Sequence, residues 1–195
     1  MKIQYVLVNP MCRPEMHGNL FDLKSAENVT FEDPKLVNVV GDNEFEKRLM
    51  WDEKIVSLGI IMKLPKYLRA DLQARSSTYT RHKLIMGNSR GIIDGDTKLS
   101  NMVKGIELGK NDFRNIIYKC DKGYNGQTDV LKIPLLAISA TEIKIGDRIA
   151  QFELVLTMDA PWWFRLKWAL KRKIIFEEVA LLHTSNRNGF GSSGK

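Results

Sequence analysis

The sequence predicts an all-β domain, a sandwich or a barrel. Apolar residues come in short runs of strand length, and turn formers separate the runs. No internal repeat is visible along the 195 residues. In chain order the runs are "YVLV" (5–8), "VTF" (29–31), "IVSLGIIMKL" (55–64), "VLKIPLLAIS" (130–139) and "IAQFELVL" (149–156). Pro34, Pro65, Gly87, Gly95, Gly123, Gly126 and Gly146 punctuate them.

Three stretches read as excursions from a compact β core. Residues 41–54, "GDNEFEKRLMWDEK", are densely charged, and residues 97–120 lack clear strand alternation. Residues 161–176, "PWWFRLKWALKRKIIF", combine three tryptophans with five basic side chains and no acid. That third stretch fits a basic amphipathic helix or a strand alternating Phe164, Leu166, Trp168 and Leu170 with cations. As a helix it suits a membrane surface or nucleic acid; otherwise its aromatics pack on the domain or at an oligomer contact.

Composition is that of a globular domain, with 44% apolar and 27% charged residues. No apolar run approaches the roughly 20 residues of a membrane span. Two cysteines, Cys12 and Cys120, do not make a disulfide framework and point to a reducing, cytoplasmic compartment. There is no CxxC or HExxH, and the three histidines are scattered, so the chain carries no zinc signature. A net charge of +7 suits a polyphosphate or nucleic acid without choosing between them.

Taken singly, the remaining motifs are weak. "ARSS" (74–77) offers a guanidinium and hydroxyls, a common phosphate-binding combination. "GNSRGIIDGD" (87–96) suggests a tight hairpin that ends in Asp94 and Asp96. "GDRIAQ" (146–151) reads as a turn feeding a strand, with Gln151 pointing outward. The end, "RNGFGSSGK" (187–195), sets one aromatic, Phe190, among glycine and serine.

In order and spacing, these motifs resemble those of the trimeric dUTP pyrophosphatase (dUTPase) family. "NLFDLKSA" (19–26) is similar to the first motif, with Asp22 at its Asp, and "ARSS" to the second, with Ser77 at the usual Gly. "GNSRGIID" is similar to the third, with eighteen positions from Ser76 to Asp94 (94 − 76). "GDRIAQ" matches the fourth and "GFGSSG" (189–194) the fifth. The resemblance implies a jelly-roll-like β domain over residues 1–184, with insertions at about 41–54, 97–122 and 159–175. It implies a mobile C-terminal arm at 185–195, and a homotrimer whose subunits share active sites.

The resemblance also implies roles. Asp94 is expected to be the general base, orienting the water that attacks the alpha phosphorus of dUTP. Arg75, Ser76, Ser77 and Gln151 are expected to hold the phosphates. Asn88 and the backbone at Gly91, Ile92 and Ile93 are expected to read uracil. Mg2+ is expected to bind through the phosphates and water, with Asp22 reaching it through a water. Tyr124 is expected to pack on deoxyribose, and Phe190 to stack on uracil beside Gly191, Ser192 and Ser193 at the phosphates. Arg187 stands for the arm arginine, which in the family lies five positions before the Phe, where this chain has Ser185.

The third motif departs from the pattern. Asp94 is followed by "GDTKLSN", and a matching "YNGQ" segment begins only at Tyr124, so 97–122 reads as an insertion inside the motif. Asp121, in "CDKGY", is a rival for the base. A dCTP deaminase shares "RSS" in the second motif, but the glutamate it needs is absent from 128–135. A regulatory binding protein on the same scaffold is the other alternative, with 97–122 or 161–176 meeting protein or nucleic acid. The extra segments suit a phage source, which would place the chain in host cytoplasm.

Overall fold

The structure is a computed structural model that describes residues 2–40, 45–95, 126, 128–170 and 174–182. The segment 97–122, Asp121, Tyr124 and the arm residues Arg187, Phe190, Gly191, Ser192 and Ser193 lie outside the described residues.

Strands β1 (Lys2–Leu7), β2 (Glu15–His17), β3 (Leu20–Lys24) and β4 (Val29–Phe31) precede a ribbon of β5 (Lys35–Val40) and β6 (Phe45–Met50). Next come β7 (Glu53–Ser57), β8 (Ile60–Lys63), β9 (Leu68–Ala74), the short helix α1 (Ser76–His82), β10 (Leu84–Met86) and β11 (Gly91–Asp94). The described elements end with β12 (Lys132–Ala137), β13 (Thr141–Ile143), β14 (Arg148–Leu156), helix α2 (Trp162–Ala169) and β15 (Ile175–Glu178). The all-β expectation holds. One sheet has the order β11-β9-β14-β3-β2, two more are β15-β1-β8 and β10-β12-β7, and β13-β4 and β5-β6 form pairs.

Alternation with period two sorts the five-stranded sheet into two faces. Ala70 and Leu72 of β9, Ala150 and Phe152 of β14, Phe21 and Leu23 of β3, and Ile93 of β11 enter the core. Phe21 stacks on Phe152 with ring centroids 5.1 Å apart, and Phe176 of β15 closes on Phe21 at 4.5 Å. The registers Gln151–Asp22, Gln151–Gln73, Glu153–Asp71, Ile92–Asp71 and Asp94–Arg69 put those side chains together on the other face. This second face is where the chemistry lies.

Several local expectations change. The run 55–64 is not one strand: it breaks at Gly59, whose φ of +62° turns the chain between β7 and β8. The charged stretch 41–54 contains β6 and the start of β7. Among the described residues β6 pairs with β5 alone, whereas Val56 of β7 is fully buried in the core. The stretch 161–176 is a helix at Trp162–Ala169 and a strand from Ile175. Phe164 decides the helix, because it is buried 5.3 Å from the ring of Tyr67 while Trp162 stays 75% exposed. Arg165 ties down the helix start by donating to the carbonyls of Ala160 at 2.8 Å and Met158 at 2.9 Å.

The expected hairpin at 87–96 is a corner instead. β10 pairs with β12 and β11 pairs with β9, so the turn at residues 87–90 carries the chain from one sheet to another. Its backbone closes through Ser89 N–H to the carbonyl of Met86 at 3.3 Å, and Ser89 adopts φ +52°.

Two glycines separate backbone conformation from packing. A Cβ on Gly59 would meet Cys12 Sγ at 2.7 Å and Ala26 Cβ at 2.8 Å, while one on Gly18, at φ +63°, meets nothing within 4 Å. Gly18→Ala is expected to cost about 1 kcal/mol, the left-handed penalty alone. Gly59→Ala is expected to cost about 2–3 kcal/mol, because the neighbours must also move. Urea midpoints at unchanged slope measure both values.

Candidate active site

A β-bulge builds the centre of the site. The pairing of β14 with β3 shifts between Arg148 and Ala150, leaving Ile149 without a strand partner in that ladder. The Ile149 carbonyl then accepts from Arg75 N–H at 3.2 Å and from Thr78 Oγ1 at 2.6 Å. These two bonds anchor the end of β9 and the first turn of α1 to β14. Arg75 therefore sits at the strand–helix junction, extended at φ −74° and ψ 152°, with Ser76 and Ser77 opening the helix. The sequence had offered "ARSS" as a phosphate-binding motif without indicating that a helix starts inside it.

Asp22 occupies the middle of β3, 1% exposed, opposite Gln151 of β14. Arg75 Nε lies 2.9 Å from its Oδ1, and Arg75 Nη1 also donates to Ser77 Oγ at 3.3 Å. On the other side of the carboxylate, Arg148 Nη1 is 3.6 Å and His17 Nε2 is 3.7 Å from Oδ2. Neither contact is a hydrogen bond, so among the described residues Oδ2 is a buried oxygen without a hydrogen-bond partner. Arg148 Nη1 lies instead within hydrogen-bond distance of His17 Nε2, at 3.0 Å. Glu15, facing Asp22 from β2, is bonded by Lys24; that bond, with help from His17 and Arg148, holds its carboxyl below the usual range. Three fixed cations (Arg75, Arg148, Lys24) thus surround two carboxylates (Asp22, Glu15). The surplus positive charge, beside the hydroxyls of Ser76 and Ser77 and the amide of Gln151, suits an anion with several oxygens.

Asp94 is elsewhere on the same face. It ends β11 opposite Arg69, in the row of Val155, while Asp22 lies in the row of Gln151. Three strand spacings, about 14 Å, and four residues along the strand, about 13 Å, separate them by about 19 Å. Asn88 is exposed in the corner, Ile92 is 55% exposed, and Ile93 is buried beneath them. The structure thus brings together Asp22, Arg75, Ser76, Ser77 and Gln151. It groups Asn88, Gly91, Ile92, Ile93 and Asp94 at a second place.

Arg148 and His17 belong to the first group and were not singled out from sequence. Arg148 stands inside "GDRIAQ", so that motif itself was the available signal. His17 had none, since only the β2–β3 register turns it toward Asp22.

No family model matches the chain. It is similar to the SPbeta prophage-derived deoxyuridine 5'-triphosphate nucleotidohydrolase YosS of Bacillus subtilis strain 168. The two are 29% identical over 177 residues, covering 91% of this chain and 84% of that protein. Among solved structures, the dUTPase of Streptococcus mutans superposes with a TM-score of 0.54 at 16% identity, covering 81% of this chain and 98% of that one. The dUTPase of Staphylococcus bacteriophage 80alpha, solved with dUPNHPP, gives 0.52 at 18% identity, covering 99% and 98%. The dUTPase of phage phi11 of S. aureus, whose structure describes the coordination of a structural Mg(II) ion, gives 0.51 at 16% identity, covering 82% and 93%. The solved structures show that the fold is shared.

Removing Asp22 leaves Arg75 and Arg148 facing each other without the carboxylate between them. Asp22→Ala is expected to lose about 3 kcal/mol of stability, at the lower end for a broken buried pair because water reaches both arginines. Denaturant unfolding measures this loss, and an Asp22→Ala protein within 0.5 kcal/mol of the parent, a surface-type effect, would contradict it.

Proposed function

We propose that this chain, a phage-like member of the dUTPase family, hydrolyses dUTP to dUMP and pyrophosphate. The observation that carries the reading is the convergence of three separate motifs on one spot. Asp22, Arg75 with its two serines, and Gln151 come from distant parts of the sequence and meet across β3, β9 and β14. The alternative of a binding protein on the same scaffold is not favoured by the comparisons. The proposed compartment is the cytoplasm, that of the host if the source is a phage.

In this reading Arg75, Ser76, Ser77 and Gln151 hold the phosphates and neutralise charge as it moves toward pyrophosphate. Asp94 accepts a proton from a water whose oxygen bonds to the alpha phosphorus. The bond from that phosphorus to the bridging oxygen breaks, and pyrophosphate leaves with the electron pair. Asn88 and the backbone of Gly91–Ile93 pair with the uracil edge; cytosine would leave such groups unpaired at about 1–3 kcal/mol each. Tyr124 is proposed against deoxyribose, and Phe190 on the uracil face, with Arg187, Gly191, Ser192 and Ser193 at the phosphates.

Magnesium fits the residues present as an ion carried by the phosphates. Among the described residues no group of three His, Cys, Asp or Glu could hold a metal. Among the described residues Asp22 Oδ2 has no hydrogen-bond partner, and one water between it and the ion would supply that bond. When bound, the ion adds positive charge to the phosphates.

A general base works at about 3 Å from the water it activates, and that water must touch the phosphorus. The separation of about 19 Å between Asp94 and Asp22 within one chain is far too large for that. It supports a site assembled from two or more chains of a homotrimer, with Asp94 from one chain meeting Arg75 of another.

Pyrophosphate release in the presence of magnesium tests the reading, with dCTP, dTTP and UTP as controls. Release is expected from dUTP, reduced about 10²–10⁴-fold by Asp94→Asn and spared by Asp121→Asn. Loss in Asp121→Asn instead would move the base to Asp121. Mixing Asp94→Asn and Arg75→Ala proteins after reversible dissociation tests the shared site. Random assortment in a trimer is expected to restore about a quarter of the parent activity, since one site in four receives both intact groups. Single-chain sites would restore none.

A further inference from the structure

We propose that Asp71 is a positioning residue for the segment 88–94, acting through Arg90, with Arg69 holding the Asp71 carboxylate in place. Its kinetic consequences rest on the dUTP-hydrolysing reading; the geometry does not.

Asp71 lies in the middle of β9 and is 3% exposed. Its neighbours in register are Ile92 of β11 and Glu153 of β14. An acid is costly there, because burial disfavours its charge and a second acid lies directly opposite. Two guanidiniums offset that cost. Arg69 Nε stands 2.9 Å from Oδ1, a charge contact rather than an aligned hydrogen bond, and Arg69 Nη2 donates to Oδ2 at 3.2 Å. Arg90 Nη1 is 3.2 Å from the same Oδ2.

The two arginines come from different strands: Arg69 shares β9 with Asp71, and Arg90 stands at the start of β11. Arg90 is the last residue of the corner and directly precedes Gly91, while Arg69 faces Asp94 across the β9–β11 ladder. The buried carboxylate therefore ties the start of β11 to β9 through Arg90, while Arg69 fixes the carboxylate itself from within β9; β11 is the strand that carries the base-reading backbone and the expected general base. The corner needs such an anchor. Ser89 holds a left-handed φ of +52°, and β10 makes no ladder with β11 that could fix the turn as in a hairpin. A buried ion cluster adds little net stability, and an apolar side chain would cover this face at less cost. What the cluster does supply is one geometry for the corner, and misplacement by about 1 Å near reacting groups can cost about 100-fold in rate.

The test compares Asp71→Asn, Arg90→Gln and their double variant in the full-length protein. Amide hydrogen exchange over 84–94 is read beside KM and kcat for dUTP and dCTP. Both single variants are expected to exchange the β11 amides about tenfold faster while the rest of the sheet keeps its protection. Arg90→Gln is expected to raise KM for dUTP more than it lowers kcat and to narrow the preference over dCTP. The double variant should match Asp71→Asn within about twofold, because both substitutions cut one path. If Asp71→Asn loosens the whole sheet, Arg90→Gln decides. Unchanged exchange over 84–94 in a folded Arg90→Gln protein, or faster exchange with KM, kcat and selectivity all intact, overturns the proposal. A parent protein that exchanges as expected but releases no pyrophosphate from dUTP would sink the proposed function and leave the anchor standing.

Discussion

The register of β14 is the constraint on which the rest of the structure depends. This strand is hydrogen-bonded on both edges, to β9 over seven consecutive pairs from Ala150 to Leu156 and to β3 from Arg148 to Phe152. Side chains alternate, so this register sends Phe152 into the core against Phe21 and Leu72 and leaves Gln151 facing outward beside Asp22 and Gln73. A slip of one residue would bury Gln151 and Glu153 and expose Phe152, exchanging core and site at once. The bulge at Ile149 follows from the same strand, and its unpaired carbonyl is what fixes Arg75. Core packing and site geometry are in this sense one decision.

The outward face carries two buried carboxylates, Asp22 at one side and Asp71 toward the other, each held by two arginines. Neither arrangement is an efficient way to stabilise a fold, because desolvation consumes most of the Coulomb gain. Both restrict guanidinium side chains that would otherwise sample many rotamers. A chain with a net charge of +7 thus commits several of its cations internally, and the charge left for a polyanionic ligand is local. Around Asp22 the surplus is one fixed cation above the paired carboxylates. That modest excess agrees with a ligand that brings its own divalent counter-ion.

Topology explains why the two groups of candidate site residues stand apart in a single chain. The corner at 87–90 passes from the sheet containing β10 to the one containing β11, and β11 lies on the edge of the five-stranded sheet. The Asp22 group lies toward the opposite edge, three strands away. The separation of about 19 Å between the two groups is what the proposed sharing of a site between chains rests on. An edge strand with an outward-facing Ile92 is a natural surface for such a contact.

How much of this was legible in the sequence depends on how far each feature reaches. The strands at 29–31, 132–137 and 148–156 were legible because β-branched and apolar runs between turn formers are local signals. The order and spacing of the short motifs carried the family resemblance and hence the two groups of expected site residues. The break at Gly59 was not legible, since a glycine within an apolar run is locally silent until neighbours such as Cys12 and Ala26 require its left-handed φ. Nor was the choice of helix or strand at Trp162–Ala169, because both periods fit and only packing against Leu68 and Tyr67 selects Phe164. Asp71, His17 and Arg148 drew no notice for a related reason: a single charged residue in a strand has no partner along its own sequence. Their partners sit one or two strands away, brought there by hydrogen-bond register. The sequence by itself determined composition, strand content and motif order, which depend on neighbours along the chain. The tertiary structure alone decided which charges meet, which oxygen has no hydrogen-bond partner among the described residues and how far apart the two groups stand, because those follow from strand pairing that joins residues distant in the sequence, such as Asp22 with Gln151, and brings His17 to Arg148, 131 positions away.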